Sequence, residues 1–379
     1  MKILYHHRIA SKDGQYVHIE AITTELVKLG HELVMVAPSV AENNDFGSDG
    51  GWVSKVRQFM PKFISELLEL AYSVLAFLKL SIAIMKHRPD VIYERYNLYL
   101  PAGIWAKKLF KLPLLLEVNS PLYLERDEYG GVALPRLAKW TERYAWQHAD
   151  KVLPVSNVLA SYVKAEGVPD DKIVVIPNGV NLDLFKPKER KNRKPEFDNK
   201  LVVGFVGFCR EWHKLDEVLI TLNQHENKSL FFLVVGDGPA IPELRELAQE
   251  LGFEDRFHVT GLVERDAMPF WLDQIDIALQ SSVTPWASPL KMLEYMAKGL
   301  TILAPKAPNI EELITHEETA LLFSPDDLQS FTATLNTLCG DEALCKTLGE
   351  RAQKKIYEND MTWNGNARLI IKLFEQLKA

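Results

Sequence analysis

The sequence predicts an α/β protein of two halves, each built on a parallel, doubly wound sheet. Three observations carry this reading. Short apolar runs alternate with amphipathic helical stretches from the first residues onward, as repeated βαβ units do. A polar, proline-punctuated stretch, KPKERKNRKPEFDNK at 186–200, interrupts that alternation near the middle. The alternation then resumes, and 379 residues suffice for two domains of roughly 150 residues each. The expected division is a first domain over 1–185, a connector over 186–200 and a second domain over 201–361, with a closing helix at 362–379 assigned back to the first.

In the first half, Lys2–His7 reads as a strand, followed by the loop RIASKDGQ with Gly14 as its flexible point. YVHIEAITTELVKLG then reads as a helix closed by Gly30, and HELVMVAP as a second buried strand. This start lacks G-x-G-x-x-G, which argues against a nicotinamide dinucleotide. His18 lies on the helix just after the loop, where a ligand-facing segment enters it; a lone helical His is equally well a structural one. DVIYERY and LPLLLEVNS continue the alternation and end in Glu94, Arg95, Glu117 and Asn119. Ligands of open parallel sheets bind outside the carboxyl ends of the strands, so these four are candidates for substrate contact. Turn chemistry and an internal Glu–Arg pair explain the same residues. A helix carrying WTERYAWQHAD, the strand KVLPVS, and the strand and turn IVVIPNGVNLDLF complete this half.

The apolar run 59–85, FMPKFISELLELAYSVLAFLKLSIAIM, is interrupted by Glu66, Glu69 and Lys79. No uncharged stretch in it approaches the ~20 residues of a bilayer span, so a helix packed within a domain is expected. Trp52, Lys55, Arg57, Phe59, Lys62 and Phe63 precede or open it; basic and aromatic residues together suit peripheral contact with an anionic membrane through 52–63.

In the second half LVVGFVGF is a strand, CREWHK a loop and LDEVLITLNQ a helix. LFFLVVGDGP, RFHVTGLV, IDIALQSS and LTILAPK are further strands, and IPELRELAQELG a further helix. The stretch TPWASPLKMLEYMAKG at 284–299 is the most informative. Ser288 is a good N-cap residue, Pro289 suits the first helical position, and Gly299 is a C-terminal stop. A helix start with free N–H groups can hold a phosphate. Lys291 sits in that first turn and Glu294 one turn on, about 7–8 Å from the helix start, near the offset between a diphosphate and its ribose hydroxyls. A surface helix with an i,i+3 Lys–Glu pair is the bland alternative. The last residues, MTWNGNARLIIKLFEQLKA, form one amphipathic helix whose apolar face must be buried, by expectation on the first half.

Composition sets limits. Apolar residues at 47% and charged residues at 25% describe an ordinary globular protein. A net charge of −7 opposes general nucleic-acid binding. Cys209, Cys339 and Cys345 are too few and too scattered for a metal cluster or disulfide framework, which suits a reducing cytosol. The N-terminus enters a strand pattern at once, so no signal peptide is expected.

Five segments in order, VGFCREWHK, VVGDGP, HVTGLV, DIALQSS and SPLKMLEYMAKG followed by LTILAP, resemble the donor domain of the retaining glycosyltransferases of family 4. IPNGVNLDLF and ADKVLPVS in the first half are also typical of that family. The resemblance implies the GT-B fold of two facing Rossmann-like domains and transfer of a sugar from a UDP- or GDP-sugar to a hydroxyl. The setting would be cell-envelope polysaccharide or glycolipid synthesis on the cytoplasmic side. By this resemblance Glu294 matches the second glutamate of E-x7-E, which holds the nucleotide ribose. Ser288, Pro289, Leu290 and Lys291 match the loop and helix start that receive the diphosphate. Arg210 matches a cationic residue after the first donor-domain strand, with His213 or Lys214 supplying a second charge. Gly236, Asp237 and Gly238 match the turn near the nucleotide, and Gly261, Leu262 and Val263 the lining of the base. Gly14 matches the glycine of the acceptor-side loop; His18, Glu94 and Arg95 stand on that same side.

Two positions depart from the pattern. Trp286 stands where the first glutamate of E-x7-E is expected, and Asn119 where an acceptor-domain histidine is frequent. Asn119 reads as an orienting group with Glu117 as its partner. Retaining members are thought to let the leaving phosphate accept the acceptor proton, so a strong protein base is not required. No Asp-x-Asp motif serves the donor, and Asp326 and Asp327 merely open a helix; neither a metal nor a separate cofactor is expected. A nucleotide-sugar epimerase and a non-catalytic nucleotide-sugar-binding partner protein are the alternative readings.

Overall fold

The computed structural model describes residues 1–9, 14–38, 60–187 and 193–378. The chain divides into two compact units. The first comprises Met1–Asn178, Trp286–Ser288 and Trp363–Ala379; the second comprises Gly179–Pro285 and Pro289–Thr362.

The first unit is built on a five-stranded sheet of β1 (Lys2–His6), β2 (Glu32–Val36), β3 (Val91–Arg95), β4 (Leu114–Val118) and β5 (Lys151–Pro154), in the order β2-β1-β3-β4-β5. Every pairing is parallel, with Ile3 opposite Val91 and Tyr93 opposite Leu115. β3 and β4 are buried along their whole length, as parallel strands covered on both faces are. β2 is not the buried strand that its sequence implies. It lies at the sheet edge, where only Val34 of its five residues is buried. The stretch 173–185 forms no strand either. Val174 and Ile176 donate to the carbonyls of Val152 and Pro154 beside β5, and the chain then leaves at Pro177, which has no N–H to continue a ladder.

Helices α1 (Gly14–Lys28) and α2 (Lys62–His87) follow β1 and precede β3. Next come α3 (Ala102–Phe110), α4 (Leu122–Tyr129), α5 (Pro135–His148) and α6 (Asn157–Ala165). The closing helix, α14 (Trp363–Lys378), packs on α1 and buries Trp363, Ala367, Ile370, Leu373 and Phe374. The stretch 59–85 is only partly the packed helix that was expected. One face of α2 is buried through Glu66, Glu69, Ser73, Ala76, Leu80, Ser81 and Ile84, while Leu68, Leu75, Ile82 and Met85 on the other are exposed. Of the segment 52–63 expected at a membrane, residues 52–59 lie outside the described residues.

The second unit carries β6 (Leu201–Val206), β7 (Leu230–Val235), β8 (Phe257–Val259), β9 (Ile277–Leu279), β10 (Thr301–Pro305) and β11 (Leu321–Phe323). Their order is β11-β10-β9-β6-β7-β8, again all parallel. Helices α7 (Leu215–Gln224), α8 (Ile241–Glu250), α9 (Met268–Leu272), α10 (Leu290–Lys298), α11 (Pro308–Glu311), α12 (Leu328–Gly340) and α13 (Glu342–Glu358) cover it. The polar stretch 186–200 is no free strap over its described part. Arg193 pairs with Asp276 at 2.9 Å and Phe197 is wholly buried, so its C-terminal end is built into the second unit.

Gly299 ends α10 in the left-handed region at φ +67°, as its sequence position implies. Its carbonyl oxygen then passes so close to α13 that a Cβ on Gly349 would lie 2.2 Å from it. Gly349→Ala is expected to cost about 1–3 kcal/mol through overpacking against backbone that cannot rotate away. Chemical denaturation followed by circular dichroism should show a lower midpoint. An unchanged midpoint would mean that the exit from α10 shifts freely.

Candidate functional site

In each unit, polar side chains gather at the carboxyl ends of the central strands. β3 and β4 end side by side in the first unit, with Arg95 opposite Glu117. Glu117 is buried and accepts from the Tyr93 hydroxyl at 3.0 Å, from Asn119 Nδ2 at 2.5 Å and from the Arg95 guanidinium. His18 Nε2, carried in from α1, lies 3.0 Å from the same carboxylate. Burial alone would raise the proton affinity of Glu117. The His18 ring, then Arg95, with hydrogen bonds from His18 and Asn119, overcome that and hold it well below the usual carboxylate range.

The His18 ring is fixed on its other side as well. Its Nδ1 lies 2.7 Å from Asn178 Oδ1, and its edge meets the Trp363 ring at 4.8 Å. Asn178 in turn donates through Nδ2 to the Ser288 carbonyl at 2.5 Å and through its backbone N–H to Ser288 Oγ at 3.1 Å. The sequence thus placed His18, Arg95, Glu117 and Asn119 correctly at one sheet edge, but Glu117 there is an ionised hub rather than an available base. Glu94 points the other way from its strand neighbour Arg95. It is buried 3.5 Å from His6 Nδ1, with its carboxylate against Gly103, where a Cβ would stand 1.3 Å from Oε2. The internal Glu–Arg pair of this sheet is therefore Arg95 with Glu117, not with Glu94.

In the second unit the loops that follow β6, β7 and β9 come together at the carboxyl ends of these neighbouring strands. Gly236 (φ +145°) and Gly238 (φ +151°) run against the backbone of the first loop, where a Cβ would lie 2.1 Å from the Gly207 oxygen and 2.2 Å from the Cys209 oxygen, respectively. No other residue fits these two positions without moving that loop. Asp237 seals the contact: its carbonyl accepts from the Cys209 N–H at 2.7 Å. Lys291, in the first turn of α10, reaches under this floor with Nζ 3.8 Å from the Phe205 ring centroid. Its ammonium also lies beside Gly207. It is half-buried, and burial pushes its proton affinity down to about 7 against the milder pull of Cys209 and Glu294.

Glu294, one turn on, is buried and meets Arg265 Nη1 at 2.5 Å. Burial raises its proton affinity, and Arg265 and Lys291 oppose that rise. Arg265, from the loop after β8, carries no motif and was not legible in the sequence. Below it, Lys298 and Asp273, both almost inaccessible, pair at 2.6 Å and fix the far end of α10.

Several sequence-derived roles change. Ser288 does not cap α10: Pro289 occupies the N-cap without a side-chain bond, Leu290 is the first helical residue, and the Ser288 hydroxyl is taken by Asn178. Trp286 is 4% exposed and packs in the core of the first unit, edge-on to Tyr162 at 6.2 Å, so its indole faces no open site there. His213 is not a second cation. It is buried, its Nδ1 accepts from the Arg210 N–H, and burial, with Lys291 nearby, pushes it down to about 3. Lys214 is half-buried and already paired with Asp326 at 2.6 Å. Arg210 is exposed, with its guanidinium 5.1 Å over Phe208. Gly261 takes a left-handed turn at φ +71°; Leu262 beside it is exposed, while Val263 packs against the core. Gly14 begins α1. Among the described residues no group of three or more His, Cys, Asp or Glu stands together to hold a metal. A separate cavity of about 150 Å³, lined by Lys214, Ser281, Pro305, Asp326 and Phe331 among others, opens at the ends of β9–β11 and includes neither Lys291 nor Glu294.

Residues 12–184 match the sequence profile described as Glycosyltransferase Family 4, and residues 187–355 that of Glycosyl transferases group 1. An uncharacterized glycosyltransferase of Methanocaldococcus jannaschii is 21% identical over 96% of this chain and 95% of its own length. Alpha-monoglucosyldiacylglycerol synthase of Streptococcus pneumoniae is 23% identical over 91% of this chain and 81% of its own. Among solved structures, sucrose-phosphate synthase of Thermosynechococcus elongatus superposes with a TM-score of 0.78 at 18% identity, covering 100% of this chain and 99% of the other. Anabaena Alr3699/HepE in complex with UDP does so at 0.77 and 19%, covering 99% and 100%.

The Glu117 hub gives a stability prediction. A carboxylate held below its unfolded value contributes stability that is full above about pH 4 and is lost as pH falls through the folded value. Glu117→Gln is expected to cost about 3–5 kcal/mol at neutral pH, since Arg95 is left buried without its counter-charge. It should also shrink the loss of stability below about pH 4. Denaturant titrations at pH 7 and pH 3 measure both effects. Equal losses in the two proteins on acidification would remove Glu117 from the account.

Proposed function

The chain belongs to the group 1 glycosyltransferases, with the GT-B fold, and from that premise we propose that it transfers a sugar from a UDP- or GDP-sugar to a hydroxyl with retention of anomeric configuration. The observation that carries the reading is the ammonium of Lys291, seated beside the glycine-walled loops at the strand ends of the second unit, one helical turn from the Glu294 carboxylate. A cation at that place suits a diphosphate, and a carboxylate one turn on suits the ribose hydroxyls of the same nucleotide. In this reading Arg265 orients Glu294, the backbone at Gly236 and Gly238 lets the nucleotide approach closely, and Gly261 to Val263 border the base. Arg210 is the second cation of the donor. His213, being neutral beside Lys291, adds no repulsion to it and only shapes the loop.

In the transfer, the bond from the anomeric carbon to the diphosphate oxygen breaks as the bond to the acceptor oxygen forms. The acceptor proton passes to the departing phosphate. Lys291 offsets the charge that gathers on the diphosphate, the usual electrostatic contribution at such a centre. A protein base is not needed for this route, which is consistent with Glu117 being fully engaged and with Asn119 acting only to orient. Acceptor contacts are assigned to the first unit, with His18 and Arg95 as supporting residues; Glu94, turned to the other face of its strand, is left out of this role. By their names, two of the relatives act in glycolipid and polysaccharide formation: the alpha-monoglucosyldiacylglycerol synthase of Streptococcus pneumoniae and the putative colanic acid biosynthesis glycosyltransferase WcaL of Escherichia coli. A saccharide or glycolipid acceptor of the cell envelope, used on the cytoplasmic side, fits that company. Three free cysteines suit a reducing compartment.

Lys291→Met should weaken UDP or GDP binding by about 1.5–3 kcal/mol, the value of hydrogen bonds to a charged group. Glu294→Ala should cost a similar amount, read by calorimetric titration; unchanged affinity in folded variants would remove the nucleotide from this site. The pH dependence has a definite sign. Lys291 loses its proton above about 7 when unliganded. Binding must then restore that proton, so affinity should fall as pH rises from 7 to 9, by up to about tenfold per pH unit, and should stay level in Lys291→Met. Turnover should survive EDTA; loss in chelator that magnesium or manganese restores would overturn metal independence. Nuclear magnetic resonance of the anomeric product proton tests retention.

A further inference from the structure

Helix α2 carries a surface that the sugar-transfer reading does not use. Ile64, Leu67, Leu68, Val74, Leu75, Leu78, Ile82 and Met85 are all exposed, Ile82 and Met85 at 60% and 62%. Their spacing of three and four places them on one face over nearly six turns, a stripe about 30 Å long at 1.5 Å per residue. Contiguous apolar surface of this extent marks a docking site.

The opposite face anchors the helix in its unit. Glu66 accepts from the Tyr99 hydroxyl at 3.0 Å and from the N–H groups of Ala133 and Leu134, each at 2.8 Å. Glu69 pairs with Arg126 at 3.0 Å, and Ser73 donates to the Tyr99 carbonyl at 2.7 Å. By length and composition alone α2 is long and apolar enough to cross a membrane. Crossing would strip two buried carboxylates of these partners inside hydrocarbon, at a cost of several kcal/mol for each unsatisfied group. The helix therefore lies on a surface rather than through one.

The charges name the surface. The acidic residues of α2 are Glu66 and Glu69, and both are buried. Lys79 and Lys86, two turns apart, border the apolar stripe along one edge, and Arg88 follows the helix; all three are exposed. An apolar stripe bordered by Lys79 and Lys86, with both carboxylates of the helix itself buried, fits the boundary between acyl chains and anionic headgroups. A two-fold contact with a second copy sets each patch against itself, which brings together cations with no carboxylate on the same face to answer them. We propose that the outward face of α2, from Ile64 to Met85 with Lys79 and Lys86, docks the protein on an anionic lipid bilayer. The proposal is independent of the nucleotide site.

Vesicle flotation tests it. The full chain should float with vesicles of phosphatidylcholine containing about a third phosphatidylglycerol and bind pure phosphatidylcholine at least tenfold more weakly. Leu75→Gln with Ile82→Gln should reduce binding at least tenfold. Lys79→Glu with Lys86→Glu should abolish the preference for anionic vesicles. These side chains are exposed, so thermal melting and UDP affinity should be unchanged in both variants, which separates failure of this surface from failure of the donor site. Absence of flotation, or flotation indifferent to both variants, would overturn the proposal. So would sedimentation equilibrium showing a dimer that Ile82→Gln dissolves, which would give the face to a second copy.

Discussion

Charge that is buried must be answered, and in this protein that requirement organises both units. Glu117 sits at the end of a strand buried on both faces, where an isolated carboxylate would cost far more than any one hydrogen bond returns. Its neighbours are drawn from separate parts of the chain: Tyr93 and Arg95 from the adjoining strand, His18 from α1, Asn119 from its own loop. His18 is then held by Asn178, and Asn178 by Ser288. One carboxylate thus fixes the entry of α1 and the positions of residues 178 and 288, which are far apart in sequence. Such a network specifies a geometry more than it adds stability, because an apolar replacement of the whole cluster could be as stable.

The second unit solves the same problem with less symmetry. Lys298 and Asp273 pair at 2.6 Å at the foot of α10. At its head the charges are unequal. Glu294 is answered by Arg265, while Lys291 has an aromatic face beneath it and only distant help from Glu294. A cation left short of counter-charge beside glycine-lined backbone is a place where an anion gains more than it would in water.

Much of this was legible in the sequence, for physical reasons. Strand–helix alternation gave two α/β halves because buried parallel strands need continuous apolar runs, but the units divide between Asn178 and Gly179 rather than at the polar stretch 186–200. Polar residues at strand ends marked Arg95, Glu117 and Asn119, and the loop leading into α1 marked His18, because a parallel sheet sends these loops to one end of its strands. What could not be read were choices between partners. Ser288 before Pro289 looks like a cap locally, yet Asn178, 110 residues away, takes its hydroxyl. β2 has the composition of a core strand but sits at the sheet edge. Arg265 carries no local signal, since its importance comes only from lying opposite Glu294. α2 has the composition of a core helix, and nothing in its periodicity says that one face stays exposed among the described residues.

The loop from Gly207 to Lys214 shows how a family pattern survives substitution. The resemblance calls for cations there, and the sequence offers Arg210, His213 and Lys214. The fold uses His213 to close the turn on the Arg210 N–H, and burial keeps that ring neutral. Asp326 takes Lys214. The charge beside the glycine floor is instead delivered from the next segment, by Lys291 at the start of α10. A neutral His213 is what makes this workable. An imidazolium there would raise the cost of protonating Lys291 further, whereas a neutral ring packed on Phe205 at 4.8 Å shares its apolar wall without competing for the anion.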